Sequence, residues 1–501
     1  MIAQSTRGSL NQVQADVLAV GVFDGDEPVP SDLIAGTLDA VLGRLAEAKE
    51  LPKAVGEVMP MLGFDPASVG LAARAIVLFG LGKPEKFDAG AAFGAGVAVG
   101  KRLASKKRAT VAVLLPLRDR GADVASVVSS LVEGMIVGTE SAELYKAERS
   151  RHAWETLIVI GPEQASELFE PAVERGRIVG EAVNLARRLV NLPSAEKRPR
   201  AYAEMVVAAA RQVGLSTASW TEAQIQEARF GGLVGVAAGS DEPPAFVILE
   251  HKLGGDAPTL ALVGKGVTFD SGGLSLKPSA SMEDMKCDMA GSAVVVATLL
   301  AVARLGLKVN VVGYLPIVEN MVNGQAMRLG DVLTMRNGKT VEILNTDAEG
   351  RLILADALAY AAEQGPARIV DLATLTGACL VALGNRTAGL CSNDDAFAAE
   401  VAAASKATGE RTWRLPLDED YLDLLKSQLA DLKNVGGKYA GAITAAKFLE
   451  QFVAETPWVH LDIAGPAWAD ADSPTRDAGG TGCFVRTLVA LAENQKTPRD
   501  T

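Results

Sequence analysis

The chain reads as a repeated exchange between two hydrophobic periods. Short apolar, β-branched runs bounded by turn residues alternate with longer stretches whose apolar positions recur three and four residues apart. In the first third, runs at 13–23, 75–80, 109–116 and 157–161 predict strands, while 91–104 and 124–142 predict helices. An amphipathic stretch over 169–190 predicts a connecting helix, stopped by Asn191-Leu192-Pro193. Beyond it the strands come closer together, at 244–250, 259–263, 309–318, 342–344, 368–373 and 458–463. Several are apolar throughout, the pattern of a sheet covered on both faces. Segments 289–303 and 352–362 are alanine-rich and apolar nearly all round, so they predict buried helices.

Alternating strands and helices predict an α/β architecture. At 501 residues the chain exceeds what one core organises. The expectation is a smaller N-terminal α/β domain over 1–165 and a connecting helix over 166–190. A larger C-terminal α/β domain over 191–501 would follow, with a mixed, largely parallel sheet covered by helices.

Composition narrows the function. A net charge of -12 argues against nucleic acid or an anionic membrane as partner, since both select basic surfaces. Two basic clusters, Lys101-Arg102 with Lys106-Lys107-Arg108 and Lys197-Arg198 with Arg200, read as solvated helix ends and loops. The apolar run 289–303 falls short of the roughly 18 residues of a membrane span. The N-terminus shows no basic region leading into an apolar core, so no targeting segment is expected. Cys287, Cys379, Cys391 and Cys483 form no C-x-x-C pair, which suits a reducing cytoplasm. Gly94-Ala95-Gly96-Val97-Ala98-Val99-Gly100 nearly matches a dinucleotide loop, but its third glycine comes one place late. Helix packing accounts for it better.

The candidate chemistry begins with a scarcity. His152, His251 and His460 are the three histidines, and none forms an H-x-x-x-H pair. A metal in this protein would be held mostly by oxygen. In Asn345-Thr346-Asp347-Ala348-Glu349-Gly350-Arg351-Leu352, an extended Asp347–Glu349 would point both carboxylates at one spot, where they repel unless a cation lies between them. In isolation the same pair is a solvated turn. Lys265 and Asp270, however, follow the strand at 259–263, Asp347 and Glu349 follow 342–344, and Thr374-Leu375-Thr376-Gly377 follows 368–373. Ligands of open α/β sheets bind at the carboxyl ends of strands, so three strands would bring polar groups to one edge.

Gly264-Lys265-Gly266 lacks the glycine spacing and the following Ser or Thr of a Walker A loop. Spacing leaves two readings of Lys265 open: a neutral amine ligating metal, or an ion pair with Asp270. Asp288, ahead of the helix at 289–303, is either a ligand or a helix cap. Lys277 by itself reads as a solvated lysine, and Cys287 as a small buried residue.

Together these segments carry a resemblance. V-G-K-G-V-T-F-D-S-G-G (263–273), M-K-C-D-M-A-G (285–291), N-T-D-A-E-G-R-L (345–352) and D-L-A-T-L-T-G-A (371–378) resemble the signatures of the cytosolic leucyl aminopeptidase family. A-D-L-K-N (430–434), A-G-A-I-T-A-A (440–446) and D-I-A-G-P-A-W (462–468) fit the same pattern, whereas the first domain matches only in its α/β character. The resemblance implies a catalytic second domain that removes leucine and other, mainly apolar, N-terminal residues from peptides. It implies two divalent ions per subunit, Mn²⁺ or Zn²⁺ with Mg²⁺ also open. Asp270 and Glu349 would bridge them, Lys265 and Asp288 would complete one site, and Asp347 the other. Lys277 and Arg351 would be the catalytic pair, with bicarbonate at Arg351. Met285, Thr374 and Gly377 would shape the pocket for the first side chain, and Asn345, Ala348 and Leu375 would border substrate. A cytoplasmic homohexamer is implied as well. The competing readings are a two-metal phosphoryl-transfer hydrolase and a DNA-binding regulator.

Overall fold

The computed structural model describes residues 1–6, 10–25, 29, 36–117, 124–161 and 166–495. Two compact units emerge. One holds Met1–Asn184 together with Ala407–Gly409 and Ala471–Ala478, and the other holds the remainder. The expected boundary at 165 falls outside the described residues. The connecting helix runs Ser166–Asn191.

The first unit is built on a six-stranded sheet ordered Ile2–Thr6, Thr156–Ile160, Thr110–Leu114, Val17–Phe23, Ile76–Gly82 and Val58–Pro60. Neighbours are parallel except for the last pair. Val17–Phe23 is buried along its whole length, as its unbroken apolar run requires. Helices Ala89–Ala104 and Val124–Val137 pack backbone against backbone. A Cβ on Gly96 would lie 2.2 Å from Leu131 O, and one on Gly134 would lie 2.1 Å from Phe93 O. Of the glycines that mimic a dinucleotide loop, Gly96 and Gly100 therefore serve helix contact, while Gly94 faces Val55 and Thr475.

The second unit carries a nine-stranded sheet. At its centre Trp458–Asp462, Arg368–Ala373, Thr259–Gly264 and Asn310–Asn320 lie side by side, all parallel. Antiparallel strands flank them, Ala245–Lys252 on one side and Ala388–Ser392 on the other. The architecture is thus mixed and largely parallel α/β, as the periodicity predicts.

Helices cover both faces of this sheet. Ala261, Val263, Val312, Tyr314, Ile369 and Ala373 pack with the apolar side of Gly350–Glu363. On the opposite face, Gly313 makes room for Val295 and Leu299 of the helix Ala290–Arg304. The stretch Ser279–Arg304 has the length and hydropathy to cross a membrane, but it is largely buried in the protein and broken into separate helical pieces.

One expected strand lies elsewhere. The run predicted at 342–344 forms Thr340–Glu342, which belongs to a separate three-stranded sheet with Val332–Thr334 and Leu432–Lys433. Its short length and mixed burial distinguish it from the central strands.

Gly134→Ala should destabilise the protein by about 1–3 kcal/mol through overpacking at the helix contact. Urea unfolding measures this, and an unchanged midpoint would show that the two helices do not need the close approach.

Candidate active site

The four central parallel strands all end at one edge, and each delivers a polar group there. Thr259–Gly264 is followed by Lys265, Arg368–Ala373 by Thr374, Asn310–Asn320 ends on Asn320, and Trp458–Asp462 on Asp462. Lys265 interrupts the strand, which resumes as Gly266–Asp270 and ends on Asp270. Two glycines let the chain close up around Lys265. A Cβ on Gly264 would lie 2.6 Å from Ser292 Cα, and one on Gly291 would lie 2.1 Å from Leu372 O. The helix Ala290–Arg304 is thereby pressed against the strands, with Asp288 just ahead of it.

Asp288 does not cap that helix. It ends the single turn Met285–Cys287, and the N-cap position is Met289, which makes no side-chain cap bond. The Asp288 carboxylate instead accepts from Lys265 Nζ at 2.7 Å and from Thr374 Oγ1 at 2.8 Å. Lys265 Nζ also meets Glu349 Oε1 at 2.9 Å and Thr374 O at 3.0 Å. The ion pair with Asp270 allowed by spacing is replaced by pairs with Asp288 and Glu349. Asp270 pairs with Lys277 at 2.9 Å, and Lys277 also contacts Asp347. Lys277 is thus a half-buried partner of two carboxylates rather than a solvated lysine.

Asp347 and Glu349 reach the same place without being extended. Asp347 lies in a turn, and Glu349 has helical backbone angles at the N-cap of Gly350–Glu363. Oxygens of Asp270, Asp347 and Glu349 all lie within 4.8 Å of one another. Gly350 leaves room for the Lys265 side chain here, since its Cβ would fall 2.6 Å from Lys265 Nζ and displace the ammonium.

Burial makes the cluster electrostatically tense. It raises the Asp288 carboxyl against the pull of Lys265, and the Glu349 carboxyl well above the usual range, with Asp270 adding repulsion. Asp347 is raised for the same two reasons. Burial alone would lower the ammonium of Lys265, but Asp288, Glu349 and Asp270 override it and hold it above its ordinary value. Lys277 is likewise raised, chiefly by Asp270, against burial. Among the described residues, Asp288 Oδ2 and Glu349 Oε2 are buried with no hydrogen-bond partner. Carboxyl oxygens left without partners, on groups that burial drives toward the neutral form, suit a divalent cation whose charge would restore their ionisation.

A ring of neutral side chains shapes these loops. Asn320 Nδ2 donates to Asp270 Oδ1 at 2.8 Å and to Thr346 O at 3.1 Å. Thr346 Oγ1 donates to Gly272 O at 2.6 Å and accepts from Ser275 N at 2.8 Å. Gly272 and Gly273 both take positive φ, which fits the tight approach of this loop. Asn434 accepts from Leu344 N and Asn345 N, donates to Asn345 O, and its carbonyl accepts from Arg351 Nη1 at 2.7 Å. Arg351 is buried, and burial pulls its guanidinium down to about 10.

The expected substrate-side residues divide. Asn345 caps the turn, its Oδ1 accepting from Asp347 N, and Thr374 serves the carboxylates directly. Leu375 N donates to Asp462 Oδ1, and Gly377 begins the helix Gly377–Leu383 that Thr376 caps. Met285 and Ala348 adjoin the cluster through the chain, one in the turn before Asp288 and the other between Asp347 and Glu349. Asn320, Thr346, Asn434 and Asp462 escaped the residue-by-residue reading. Asn320 and Asp462 carried a usable signal, since each ends a central strand.

No histidine joins the cluster among the described residues. His460 Nδ1 bonds Asp371 Oδ1 at 2.7 Å inside the sheet, and His251 Nε2 bonds Leu307 O at 2.8 Å. Burial lowers the His460 imidazole, yet Asp371 holds it above its usual value.

Lys197, read as solvated, is wholly buried. Its ammonium donates to Leu189 O, Val190 O and Lys286 O at 2.7–2.8 Å, tying the end of the connecting helix to the turn before Asp288.

Family models agree with this arrangement. Residues 184–489 match the cytosol aminopeptidase family catalytic domain, and residues 19–149 match that family's N-terminal domain. The chain belongs to the cytosol aminopeptidase family. A probable cytosol aminopeptidase of Solibacter usitatus is 44% identical over 98% of this chain and 98% of its own length. One from Rhodopirellula baltica is 48% identical over 84% of this chain and 81% of its own. Among solved structures, a tomato leucine aminopeptidase variant superposes with a TM-score of 0.86 at 34% identity, covering 98% of this chain and 96% of its own. The bottromycin maturation enzyme BotP in complex with Mn gives a TM-score of 0.82 at 38% identity, covering 96% and 99%. As a member of this family the chain is a metal-dependent aminopeptidase, and the phosphoryl-transfer and DNA-binding readings are not favoured.

Asn434→Ala should loosen the 344–345 turn that leads into Asp347, since the side-chain amide is lost while the backbone carbonyl that holds Arg351 remains. Turnover should fall roughly 10- to 100-fold, the scale on which a misplaced catalytic group costs rate. Steady-state kinetics beside a thermal melt tests this, and normal turnover would relieve Asn434 of any positioning role.

Proposed function

We propose that this enzyme removes leucine and other, mainly apolar, N-terminal residues from peptides at a centre of two divalent ions. The observation that carries the reading is the set of buried carboxylates at one sheet edge, two of whose oxygens lack partners. Asp270, Glu349 and Asp347, with Lys265 and Asp288 beside them, would hold the ions. Lys265 would serve there as a neutral amine, the ions' charge replacing the ammonium that now compensates Asp288 and Glu349. Mn²⁺ is favoured by the Mn complex of BotP, while Zn²⁺ and Mg²⁺ also fit carboxylate-rich sets. When bound, the ions supply Lewis-acid polarisation of the scissile carbonyl and an activated water.

The protein's own groups do the rest. Lys277, beside Asp270 and Asp347, directs its positive charge at the oxyanion that develops on the carbonyl. Arg351 keeps one arm on Asn434 O while, among the described residues, its Nε has no partner, a donor arrangement that suits a bicarbonate ion serving as proton carrier. Met285, Thr374 and Gly377 would shape the pocket for the first side chain, and Asn345, Ala348 and Leu375 would border the peptide. The substrate's free amine, a neutral donor at the centre, would explain restriction to N-terminal residues. The relatives' name places such enzymes in the cytosol, and a cytoplasmic homohexamer is our reading for this chain.

Purified enzyme should release leucine from a leucyl anilide, lose that activity on chelation and regain it with Mn²⁺, while leaving a chromogenic phosphate ester intact. Asp347→Asn and Glu349→Gln should lower both metal content and turnover; undiminished turnover in either would sink the ligand assignment.

Lys277→Ala should lower kcat by roughly 100-fold or more, the scale of losing an oxyanion donor, with metal content preserved. Metal analysis of the same preparation decides the matter, because loss of the ions would make Lys277 part of their binding rather than of catalysis.

A further inference from the structure

The basic cluster Lys106-Lys107-Arg108 does not simply decorate a helix end. It lines a surface cavity of about 780 Å³ in the first unit. The cavity lies where four neighbouring parallel strands begin. Asp16 precedes Val17–Phe23, Arg74 precedes Ile76–Gly82, Ala109 precedes Thr110–Leu114, and Glu155 precedes Thr156–Ile160. The fold adds Arg149, some forty residues further along the chain, to the same wall.

Six of the lining residues are lysine or arginine, against Asp16 and Glu155. Several of these charges are already engaged. Asp16 accepts from Ala109 N at 2.7 Å and Thr110 N at 3.1 Å and pairs with Arg74, and those backbone bonds hold its carboxyl below the usual range. Arg151 is clamped bidentately by Asp477 at 2.6–2.7 Å. What remains is Lys106, Lys107, Arg108 and Arg149 against Glu155. Among the described residues the side chains of Lys106, Lys107 and Arg149 make no ion pair. Arg108 donates to Leu103 O and Lys106 O, and it lies near both the Asp16 carboxylate and a further cation, Arg102, so Lys106, Lys107 and Arg149 carry most of the open charge.

A concentration of uncompensated cations in a concave wall, on a chain of net charge -12, is a focused positive field. The lining offers little else. Its apolar members are Ala109 and Ala153, and His152 is its one aromatic ring, with no Phe, Tyr or Trp beside it to stack a base. We propose that this cavity binds a small anion bearing a chain of two or more phosphate groups, held by Lys106, Lys107, Arg108 and Arg149. A concave site of this size with an acidic chain around it suits a compact polyphosphate better than a duplex, which needs an extended basic face.

Calorimetric titration of the full-length, metal-loaded enzyme with inorganic tripolyphosphate at low salt tests this. Lys107→Glu/Arg149→Glu and the milder Lys106→Gln/Lys107→Gln serve as variants. Both alter exposed side chains outside the peptidase centre, so anilide hydrolysis should be unchanged. Any exchange of ions with the ligand is common to all the proteins and cancels in the comparison. The expected result is saturable binding of one ligand per chain, weakened roughly tenfold or more by charge reversal, less by neutralisation, and weakened by added salt. ATP binding as tightly as tripolyphosphate would support recognition through the phosphate chain alone. Equal affinity in wild type and both variants, or no saturable binding, would overturn the proposal. So would orthophosphate binding as tightly as tripolyphosphate, or a short DNA duplex binding more tightly and losing that affinity in the same variants.

Discussion

Asp270, Asp288 and Glu349 are held out of water at one sheet edge with Asp347 half-buried beside them, and their mutual repulsion is the constraint to which the site answers. Anions taken into a protein interior cost several kcal/mol each unless positive charge accompanies them. Lys265 supplies it between Asp288 and Glu349, and Lys277 between Asp270 and Asp347. Even so, Asp288 and Glu349 stay well above ordinary carboxyl values, and each keeps an unpaired oxygen. Two lysines therefore moderate the repulsion without exhausting it. A centre in that condition takes up multivalent cations readily.

Holding such groups together demands a stiff frame, and the frame is largely backbone. Parallel strands bring Lys265, Asp270, Asn320, Thr374 and Asp462 to one edge because their hydrogen bonding fixes where each strand ends. Gly264, Gly291 and Gly350 admit the close approaches that set Asp288 and Glu349 against Lys265. Loops that leave the sheet are fixed by neutral amides and hydroxyls, chiefly Asn320, Thr346 and Asn434. Neutral groups suit that task, since they order the chain without altering the balance of charge.

The two basic clusters show how one sequence pattern meets different ends. Lys197 is buried on three carbonyls and joins helix to turn, whereas Lys106 and Lys107 are exposed on a cavity wall. Local sequence cannot separate them, because the difference lies in whether the surrounding backbone presents unpaired carbonyls or open solvent.

The sequence by itself determined the α/β class, the parallel apolar strands and the buried helices, because periodicity and burial are local consequences of side-chain chemistry. It also marked Lys265, Asp270, Asp288, Asp347 and Glu349 as an oxygen-rich set near strand ends and a helix start, while Lys277 and Arg351 entered only through the family resemblance. Only the tertiary structure decided how those residues pair. It gave Asp270 to Lys277 and Asp288 to Lys265, and took Asp288 away from helix capping. It moved the strand before Asp347 to a small separate sheet and left Asp347 in a turn. It recruited Asn434 from 83 residues away to hold Arg351. The physical reason is range: propensity and periodicity act over a few residues, whereas charge compensation and hydrogen-bond satisfaction in a buried site are settled by whichever partners the packed chain brings within about 3 Å.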